Sequence, residues 1–232
     1  MAKEYFYTAQ DNLETMKDAV NYNRYQRDFI QREISKLKNK KVKILDFGAG
    51  IGTYADMLRE LGHKIDCVEK GKVQAKILRQ KKYKTHEDIK HVKTKYDVIY
   101  SLNVLEHIKD DKKILASLKD CLSKEGVIII YVPAFMSIFS NLDVKAEHFR
   151  RYRIKDLKKL ANQTNLELKR IKYCDPVGFM LAIVYRIIGG SGNLNPKTIG
   201  IFDKYLFPVS ALSERIFKKM FGKNVLGVFA RQ

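Results

Sequence analysis

An apolar segment that runs directly into a glycine cluster and then into an amphipathic stretch limits what this chain can fold into. The segment Lys41–Met57 reads KVKILDFGAGIGTYADM. Its apolar residues at 42–45 predict a buried parallel strand, and Tyr54–Leu61 has helical periodicity. Between them, glycines let the backbone turn tightly and approach a ligand. These glycines are Gly48, Gly50 and Gly52. The sequence therefore predicts a strand–turn–helix unit of the nucleotide-binding kind.

The residues of the turn distinguish between ligands. A phosphate-binding P-loop ends in Gly-Lys-Ser/Thr, which is absent here. A dinucleotide fold requires G-x-G-x-x-G, but Thr53 stands where the third glycine belongs. Asp46, at the end of the strand, would repel a pyrophosphate and attract the ammonium group of a methionine moiety. The turn therefore favours a nucleoside that carries an amino acid.

The pattern DFGAGIG resembles motif I of the class I S-adenosylmethionine-dependent methyltransferases. The resemblance implies that S-adenosyl-L-methionine is the cofactor and S-adenosyl-L-homocysteine the product. It also implies that the turn residues contact this cofactor. Those residues are Asp46, Gly48, Ala49, Gly50 and Gly52.

Polar residues at later strand ends complete the expected cofactor site. Glu69 ends the second predicted strand, about 20 residues after the glycine turn, where a carboxylate binds the ribose hydroxyls of a nucleoside. By the resemblance, Asp88 lies near the adenine, with Glu87 as the alternative. Asn103 and the residues after it, as far as His107, line the methionine and sulfonium side.

The rest of the chain alternates strand and helix patterns, with strands near residues 42–47, 64–69, 83–86, 96–102 and 126–132. This alternation predicts parallel strands with helices on both faces and a ligand at the carboxyl ends of the strands. Two further strands, LELKRIKYC and NVLGVFAR, lie near the C-terminus. The resemblance implies an α/β Rossmann-like fold with a seven-stranded, mostly parallel sheet in the order 3-2-1-4-5-7-6.

Residues 1–232 are predicted to form one domain in three parts. Residues 1–40 form a helical cap that either covers the cofactor rim or packs on the sheet edge, with Tyr22 near its inner end. Residues 41–135 form the cofactor-binding core. Residues 136–232 contain a substrate loop, a helical lid insertion and the final strands. The insertion, Asp175–Gly222, has a glycine-rich centre at Gly189–Pro196.

The run DVKAEHFRRY, residues 143–152, resembles the D-x-x-x-G-H-x-R-R-Y signature of a narrower methyltransferase group, as does the N-x-L-E-H segment at residues 103–107. Members of that group act on glycans, lipid-linked intermediates and other small molecules. Glu147 stands where the group has glycine, which affects the loop around His148.

Within this run, His148 is the candidate catalytic base, and arginines can hold an anionic acceptor. The expected substrate-binding residues are Tyr22, His107, Arg150, Arg151 and Tyr152. In the alternative interpretation, the two arginines lock the loop to acids such as Asp143, and Tyr152 packs in the core.

The formal net charge of +19 admits an RNA methyltransferase that uses a basic surface, but the lysines are scattered and no RNA-binding module is evident. A non-catalytic nucleotide-fold binding protein is the third reading. No histidine and acid cluster with ligand spacing is evident, so no metal is expected.

Three separated cysteines favour a reducing cytosol. A start of MAKEY lacks the apolar core of a signal peptide. The amphipathic, basic segments of the insertion can lie at an anionic membrane surface or close over an acceptor that is amphiphilic or anionic, such as a lipid-linked one. In the alternative interpretation, their apolar faces only cover the sheet.

Overall fold

A computed structural model describes residues 16–37, 41–189 and 195–232. Three predictions concern residues outside the described ones. They are the beginning of the cap, the absence of a signal peptide at the N-terminus and most of the glycine-rich centre. Ten helical elements and seven strands of the described residues form the framework of the fold. In chain order they are α1 (Val20–Lys36), β1 (Ile44–Phe47), α2 (Thr53–Glu60), β2 (Ile65–Val68), α3 (Lys72–Gln80), β3 (Lys84–His86), β4 (Tyr96–Leu102), α4 (Asp111–Asp120), β5 (Leu122–Pro133), α5 (Asn141–Lys145), α6 (Ile154–Gln163), β6 (Leu166–Cys174), α7 (Pro176–Ile188), α8 (Pro196–Ile201), a π-helical turn (Phe202–Leu206), α9 (Phe207–Phe217) and β7 (Asn224–Arg231).

The strands form a seven-stranded sheet in the order β3-β2-β1-β4-β5-β7-β6, as expected. All neighbouring pairs from β3 to β5 are parallel, while β7 runs antiparallel to both β5 and β6. Helices cover both faces, because each face carries its own cluster of buried apolar side chains. This arrangement is the α/β Rossmann-like fold, and it brings the carboxyl ends of β1, β2 and β4 to one edge.

Strand β5 begins at Leu122, earlier than the expected start near residue 126. Leu122 pairs with Tyr96, and a register shift follows between Tyr96 and Val98 in the partner strand. Leu122 is also almost fully buried. The short sequence Lys-Glu-Gly reads as a turn, but here it is an irregularity within one long strand.

The cap helix α1 packs on one face of the sheet through Phe29, Ile30 and Ile34, which are all buried. Phe207, from the insertion before the last strand, belongs to the same apolar cluster. The insertion also caps α1, because Asp203 accepts hydrogen bonds from the backbone N–H groups of Asn21 (2.9 Å) and Tyr22 (2.8 Å). Cap and insertion therefore pack as one layer.

Within the described residues, no helix is both long and apolar enough to cross a bilayer.

Candidate active site

The end of β1 places Asp46 below the glycine turn, and its side chain is only 3% exposed. The Tyr100 hydroxyl donates a hydrogen bond to Asp46 Oδ2 at 2.9 Å. Burial raises the pKa of Asp46 to about 8; the Tyr100 hydrogen bond opposes this shift, and the nearby Glu69 adds to it. A cationic ligand would therefore be favoured here, because it would stabilise the ionised carboxylate.

All three glycines of the turn have positive φ angles, +80° at Gly48, +55° at Gly50 and +86° at Gly52. A Cβ atom at Gly48 would come within 2.4 Å of the Val104 side chain, so that side of the turn is closed. A Cβ atom at Gly50 would meet no described atom within 4 Å. The backbone at Gly50 is therefore the part of the turn that a ligand can approach closely.

Glu69 joins the end of β2 to the glycine turn. Its Oε2 accepts a hydrogen bond from the N–H of Gly50 at 2.8 Å, and its Oε1 accepts one from Gly71 at 2.7 Å. A carboxylate has about four lone-pair positions, so Glu69 keeps capacity for two ligand hydroxyls. This geometry suits the expected ribose contact.

Asp88 and Asn103 follow the ends of β3 and β4. Asp88 accepts a hydrogen bond from the N–H of Lys90 at 3.0 Å, and this bond lowers the pKa of its half-exposed carboxyl. Asn103 is exposed, has a φ of +54°, and donates its N–H to the Tyr131 carbonyl at 2.7 Å. Both side chains therefore lie at the edge where the cofactor is expected.

The first turns of α1 reach the same edge. The Tyr22 hydroxyl lies 3.1 Å from the Tyr131 hydroxyl and 3.4 Å from Oδ1 of Asn224. The side-chain N–H of Asn224 in turn donates to Oδ1 of Asn103 at 3.4 Å. Tyr22 is buried, so the cap both packs on the sheet and extends to the strand ends. Sequence reasoning missed Asn224, whose only signal is a polar residue at the start of an apolar strand.

The loop after β5 is held by Asp143, which is 1% exposed. Asp143 Oδ1 lies 2.8 Å from Nδ1 of His148 and 2.8 Å from Nε of Arg151. Burial alone would raise the pKa of Asp143, but the hydrogen bonds from His148 and Arg151 lower it to about 2. An ionised Asp143 therefore orients His148 with its Nδ1–H toward the carboxylate.

Like Arg151, the expected acceptor ligands Arg150 and Tyr152 have partners within the protein. Arg150 donates to Asp111 Oδ2 at 2.9 Å, and the hydroxyl of Tyr152 donates to the same oxygen at 3.0 Å. Tyr152 is 2% exposed and its backbone bridges to Ala134. These contacts agree with the alternative interpretation of residues 143–152, in which the arginines lock the loop to acidic residues and Tyr152 packs in the core. The Tyr152 hydroxyl is buried and donates to Asp111, and a contact of Tyr152 with the acceptor stays a prediction.

Glu147 has a φ of +58°, so the position where the narrower group carries glycine does need a left-handed backbone.

A cluster of ionisable side chains at this site was not predicted. The turn after β4 brings Glu106 and His107 beside His148, and their ligand atoms lie within 4.8 Å of one another. The sequence shows no acid and histidine cluster with ligand spacing, and the expectation of no metal rested on that pattern; the fold nevertheless brings these three side chains together. The cluster is not visible in the sequence, because Glu106 and His148 are far apart in the chain. Glu106 follows β4, and His148 lies in the loop after β5.

Comparisons with known proteins agree with this architecture. A family described as "Methyltransferase domain" matches residues 22–171, more than half of the chain. No curated protein matches the sequence significantly.

Among solved structures, the magnesium protoporphyrin IX methyltransferase of Synechocystis PCC 6803 with bound S-adenosylmethionine is 11% identical, with a TM-score of 0.59 over 97% of this chain and 94% of that chain. The plantazolicin methyltransferase is 12% identical, with a TM-score of 0.60 over 99% of this chain and 90% of that chain. The geranyl diphosphate C-methyltransferase of Streptomyces coelicolor A3(2) is 13% identical, with a TM-score of 0.60 over 90% and 76%. At these identities the likeness concerns the fold.

Proposed function

This chain belongs to the methyltransferase-domain family, and we propose that it transfers a methyl group from S-adenosylmethionine to an anionic, lipid-linked small-molecule acceptor presented at a membrane surface. The methyltransferase activity and its cofactor follow from the family. The acceptor and the roles of individual residues are the proposal.

For the cofactor, we assign the ammonium of the methionine moiety to Asp46 and the ribose to Glu69. Gly48, Ala49, Gly50 and Gly52 form the turn beneath it. Asp88 lies toward the adenine and Asn103 toward the methionine. The open approach at Gly50 and the unused lone pairs of Glu69 support this orientation.

The surface of the insertion is the observation that carries the acceptor proposal. Of the eighteen large apolar side chains that are exposed among the described residues, twelve lie in the insertion. These are Met180, Leu181, Val184, Ile187, Ile188, Ile201, Tyr205, Leu206, Val209, Leu212, Ile216 and Met220. Ile187 is 79% exposed and Ile216 is 72% exposed. An apolar surface this extensive marks an interaction site on a soluble chain.

The charges of the described insertion favour an anionic partner. The charged side chains that are exposed in the described part of the insertion are all basic: Arg186, Lys197, Lys204, Arg215, Lys218 and Lys219. Its three carboxylates, Asp175, Asp203 and Glu214, are all buried. Asp175 accepts hydrogen bonds from Gly178 and Ser210, Asp203 accepts from the cap helix, and Glu214 pairs with Lys172. Exposed apolar side chains interspersed with cations suit an anionic lipid headgroup region.

The insertion also lies close to the loop that carries His148. A cavity of about 160 Å³ separates the end of α7 from the start of α5. Arg186 lines this cavity, together with Phe139, Ser140, Asn141, Tyr185 and Gly189. Phe149 and Met136, on either side of the loop, are about half exposed and offer apolar contacts to an acceptor. The proposed acceptor would thus extend from the membrane-facing helices to His148.

The reaction is an in-line displacement. The acceptor nucleophile bonds to the methyl carbon while the carbon–sulfur bond breaks, and neutral S-adenosylhomocysteine leaves. Positioning and water exclusion supply most of the acceleration, on the order of 7 to 11 kcal/mol. For a hydroxyl acceptor the proton must also leave. We assign that step to His148, because its Nδ1–H is held by Asp143 and the lone pair at Nε2 remains.

The acceptor proposal is tested with vesicles. Cosedimentation at low salt is expected with vesicles that contain anionic phospholipid and not with purely zwitterionic vesicles. Exchanging Lys218 and Lys219 for glutamate should weaken it and raise the KM for a lipid-linked acceptor, while cofactor affinity is unchanged. The matched control exchanges Lys158 and Lys159, an adjacent exposed pair on α6, for glutamate.

Absence of vesicle binding, together with full activity on a neutral water-soluble acceptor, would exclude the lipid-linked acceptor. The RNA methyltransferase reading is the second outcome: the net charge of +19 supports it, and it predicts RNA binding whose affinity falls steeply as salt rises. Methyl incorporation into RNA would establish that reading. Failure to form S-adenosylhomocysteine with any acceptor would support the non-catalytic reading.

A further inference from the structure

Glu106 is fully buried, yet neither of its carboxylate oxygens accepts a hydrogen bond from any other described residue. A buried carboxylate without partners is costly, because it loses its hydration without compensation. Such a group in a native fold calls for a missing partner, which can be a proton, a cation or a ligand. The neighbours of Glu106 identify which kind of partner fits.

Two imidazoles face this carboxylate. Nε2 of His148 lies 3.9 Å from Oε1 of Glu106, too far for a hydrogen bond. The rings of His107 and His148 meet edge to face, with their centroids 4.6 Å apart. Ligand atoms of all three residues lie within 4.8 Å of one another. A small cation between them is the partner that fits, since tetrahedral ligands of zinc lie about 3.3 Å apart at bond lengths of about 2.0 to 2.2 Å.

Both histidines are oriented as metal ligands are. In metal sites, the second ring nitrogen of a histidine ligand donates to a carboxylate or a backbone carbonyl. Nδ1 of His148 lies 2.8 Å from the buried carboxylate of Asp143. His107 forms a hydrogen bond with the backbone of Ala146. For His148, the contact with Asp143 leaves Nε2 directed toward Glu106, at 3.9 Å from Oε1.

The main chain fixes the two segments against each other. The N–H of Phe149 donates to the Glu106 carbonyl at 2.8 Å, and the N–H of His148 donates to the Asp143 carbonyl at 2.9 Å. Main-chain hydrogen bonds therefore help to hold the backbone of Glu106 and His148 in place, as a metal site requires.

We propose that Glu106, His107 and His148 form a binding site for a single divalent transition-metal ion of the zinc class. Two imidazoles and one carboxylate suit Zn²⁺ and leave a fourth position for a water molecule or an acceptor oxygen. Binding of the metal does not depend on the proposed function. The role of the metal ion in catalysis would rest on the proposed methyl transfer. The ion would polarise an acceptor hydroxyl, and His148 would then be a metal ligand while the hydroxyl proton passes to solvent.

The experiment uses full-length protein without a polyhistidine tag, stripped with a chelator and then titrated with Zn²⁺ by calorimetry. Binding of about one ion is expected, together with a rise in Tm, because a ligand that binds the folded state stabilises it. Co²⁺ should give visible absorption bands typical of a low-symmetry nitrogen and oxygen site. These readouts need neither cofactor nor acceptor, so they can succeed or fail independently of methyl transfer.

Glu106→Gln and His148→Asn should each abolish the Zn²⁺-induced rise in Tm, whereas the matched variant His91→Asn should keep it, since His91 is exposed and remote from the cluster. Glu106→Gln preserves the side-chain volume and removes a buried carboxylate, so it is expected to fold. Asp143→Asn should lower the affinity by about 10- to 100-fold, because Asp143 only orients a ligand.

The proposal is overturned if the stripped wild-type protein binds no divalent metal, or if Glu106→Gln and His148→Asn bind it as tightly as the wild type. In the first case His148 keeps the role of base, and the buried carboxylate holds a proton.

Discussion

The carboxylate of Glu69 lies 2.8 Å from the backbone N–H of Gly50 and accepts a hydrogen bond from it. This contact links the two sequence motifs of the cofactor site, one from the end of β1 and one from the end of β2. The same carboxylate that would bind the ribose thus also fixes the turn over which the cofactor lies.

The first prediction concerns this carboxylate. Glu69→Ala should weaken S-adenosylmethionine binding by about 10- to 100-fold, since hydrogen bonds to a charged group contribute roughly 1.5 to 3 kcal/mol. Calorimetry on the folded variant measures it. Glu167→Ala is the control, because the Glu167 side chain is 51% exposed, pairs with Lys169 and lies on β6, at the opposite edge of the sheet from β3. An unchanged affinity in Glu69→Ala would remove Glu69 from the ribose site.

Two glycines offer a matched pair. Gly50 and Gly62 have φ angles of +55° and +86°, and a Cβ atom at either position would meet no described atom within 4 Å. Alanine at either should therefore cost stability by about 1 to 2 kcal/mol through backbone strain alone. Only Gly50→Ala should also weaken cofactor binding. Thermal unfolding and calorimetry separate the two effects, and equal cofactor affinity in both variants would contradict the assigned approach at Gly50.

Asp46 should make stability and cofactor binding depend on pH in opposite directions. Its pKa is about 8 in the folded protein, raised mainly by burial, against 3.8 as the ordinary value. Between these values the folded state binds more protons than the unfolded state, so the contribution of Asp46 to stability is lost as pH rises toward 8. Cofactor affinity should rise over the same range, because the ammonium favours the ionised carboxylate. Asp46→Asn should flatten both dependences in urea unfolding and in calorimetry.

The left-handed backbone at Glu147 predicts a stabilising substitution. Glu147→Gly removes a conformational penalty of roughly 1 to 2 kcal/mol from the folded state. It also raises the conformational entropy of the unfolded state, which lowers stability by about 0.4 to 1 kcal/mol. The free energy of unfolding should therefore rise by up to about 1.6 kcal/mol in urea titrations. Lys112→Gly, in helix α4, is the control and should lower it by about 1 kcal/mol. A loss of stability in Glu147→Gly would show that its side chain makes a compensating contact.

The two arginines of the loop should differ. Arg151 pairs with Asp143 where the side chains are 7% and 1% exposed, so Arg151→Ala leaves a buried charge and should cost about 3 to 5 kcal/mol of stability. Arg150 pairs with Asp111 at 31% exposure, and Arg150→Ala should cost about 1 kcal/mol or less. Urea unfolding measures both. If Arg151→Ala were as stable as the wild type and only lost acceptor affinity, the arginine would be an acceptor ligand.

Local patterns in the sequence were sufficient to predict much of this molecule. The apolar run before Asp46, the spaced glycines and the periodicity after Thr53 depend on neighbours in the chain, so the strand, turn and helix follow from them. The order of the sheet came from the resemblance that these motifs carry. The start of β5 was predicted too late, because pairing with Tyr96 lies outside any local pattern.

The amino-acid sequence by itself determined the strand–turn–helix unit, the alternation that makes a parallel sheet, and the residue types at the strand ends. Only the tertiary structure decided which of those residues face one another. The ends of β4 and β5 adjoin, so Glu106 meets His148, and Tyr152 is buried between Leu105 and Asp111. The cap reaches Asn224 because α1 packs on the sheet beside the insertion. Such pairings depend on contacts between distant segments, and burial then determines which polar groups remain available for chemistry.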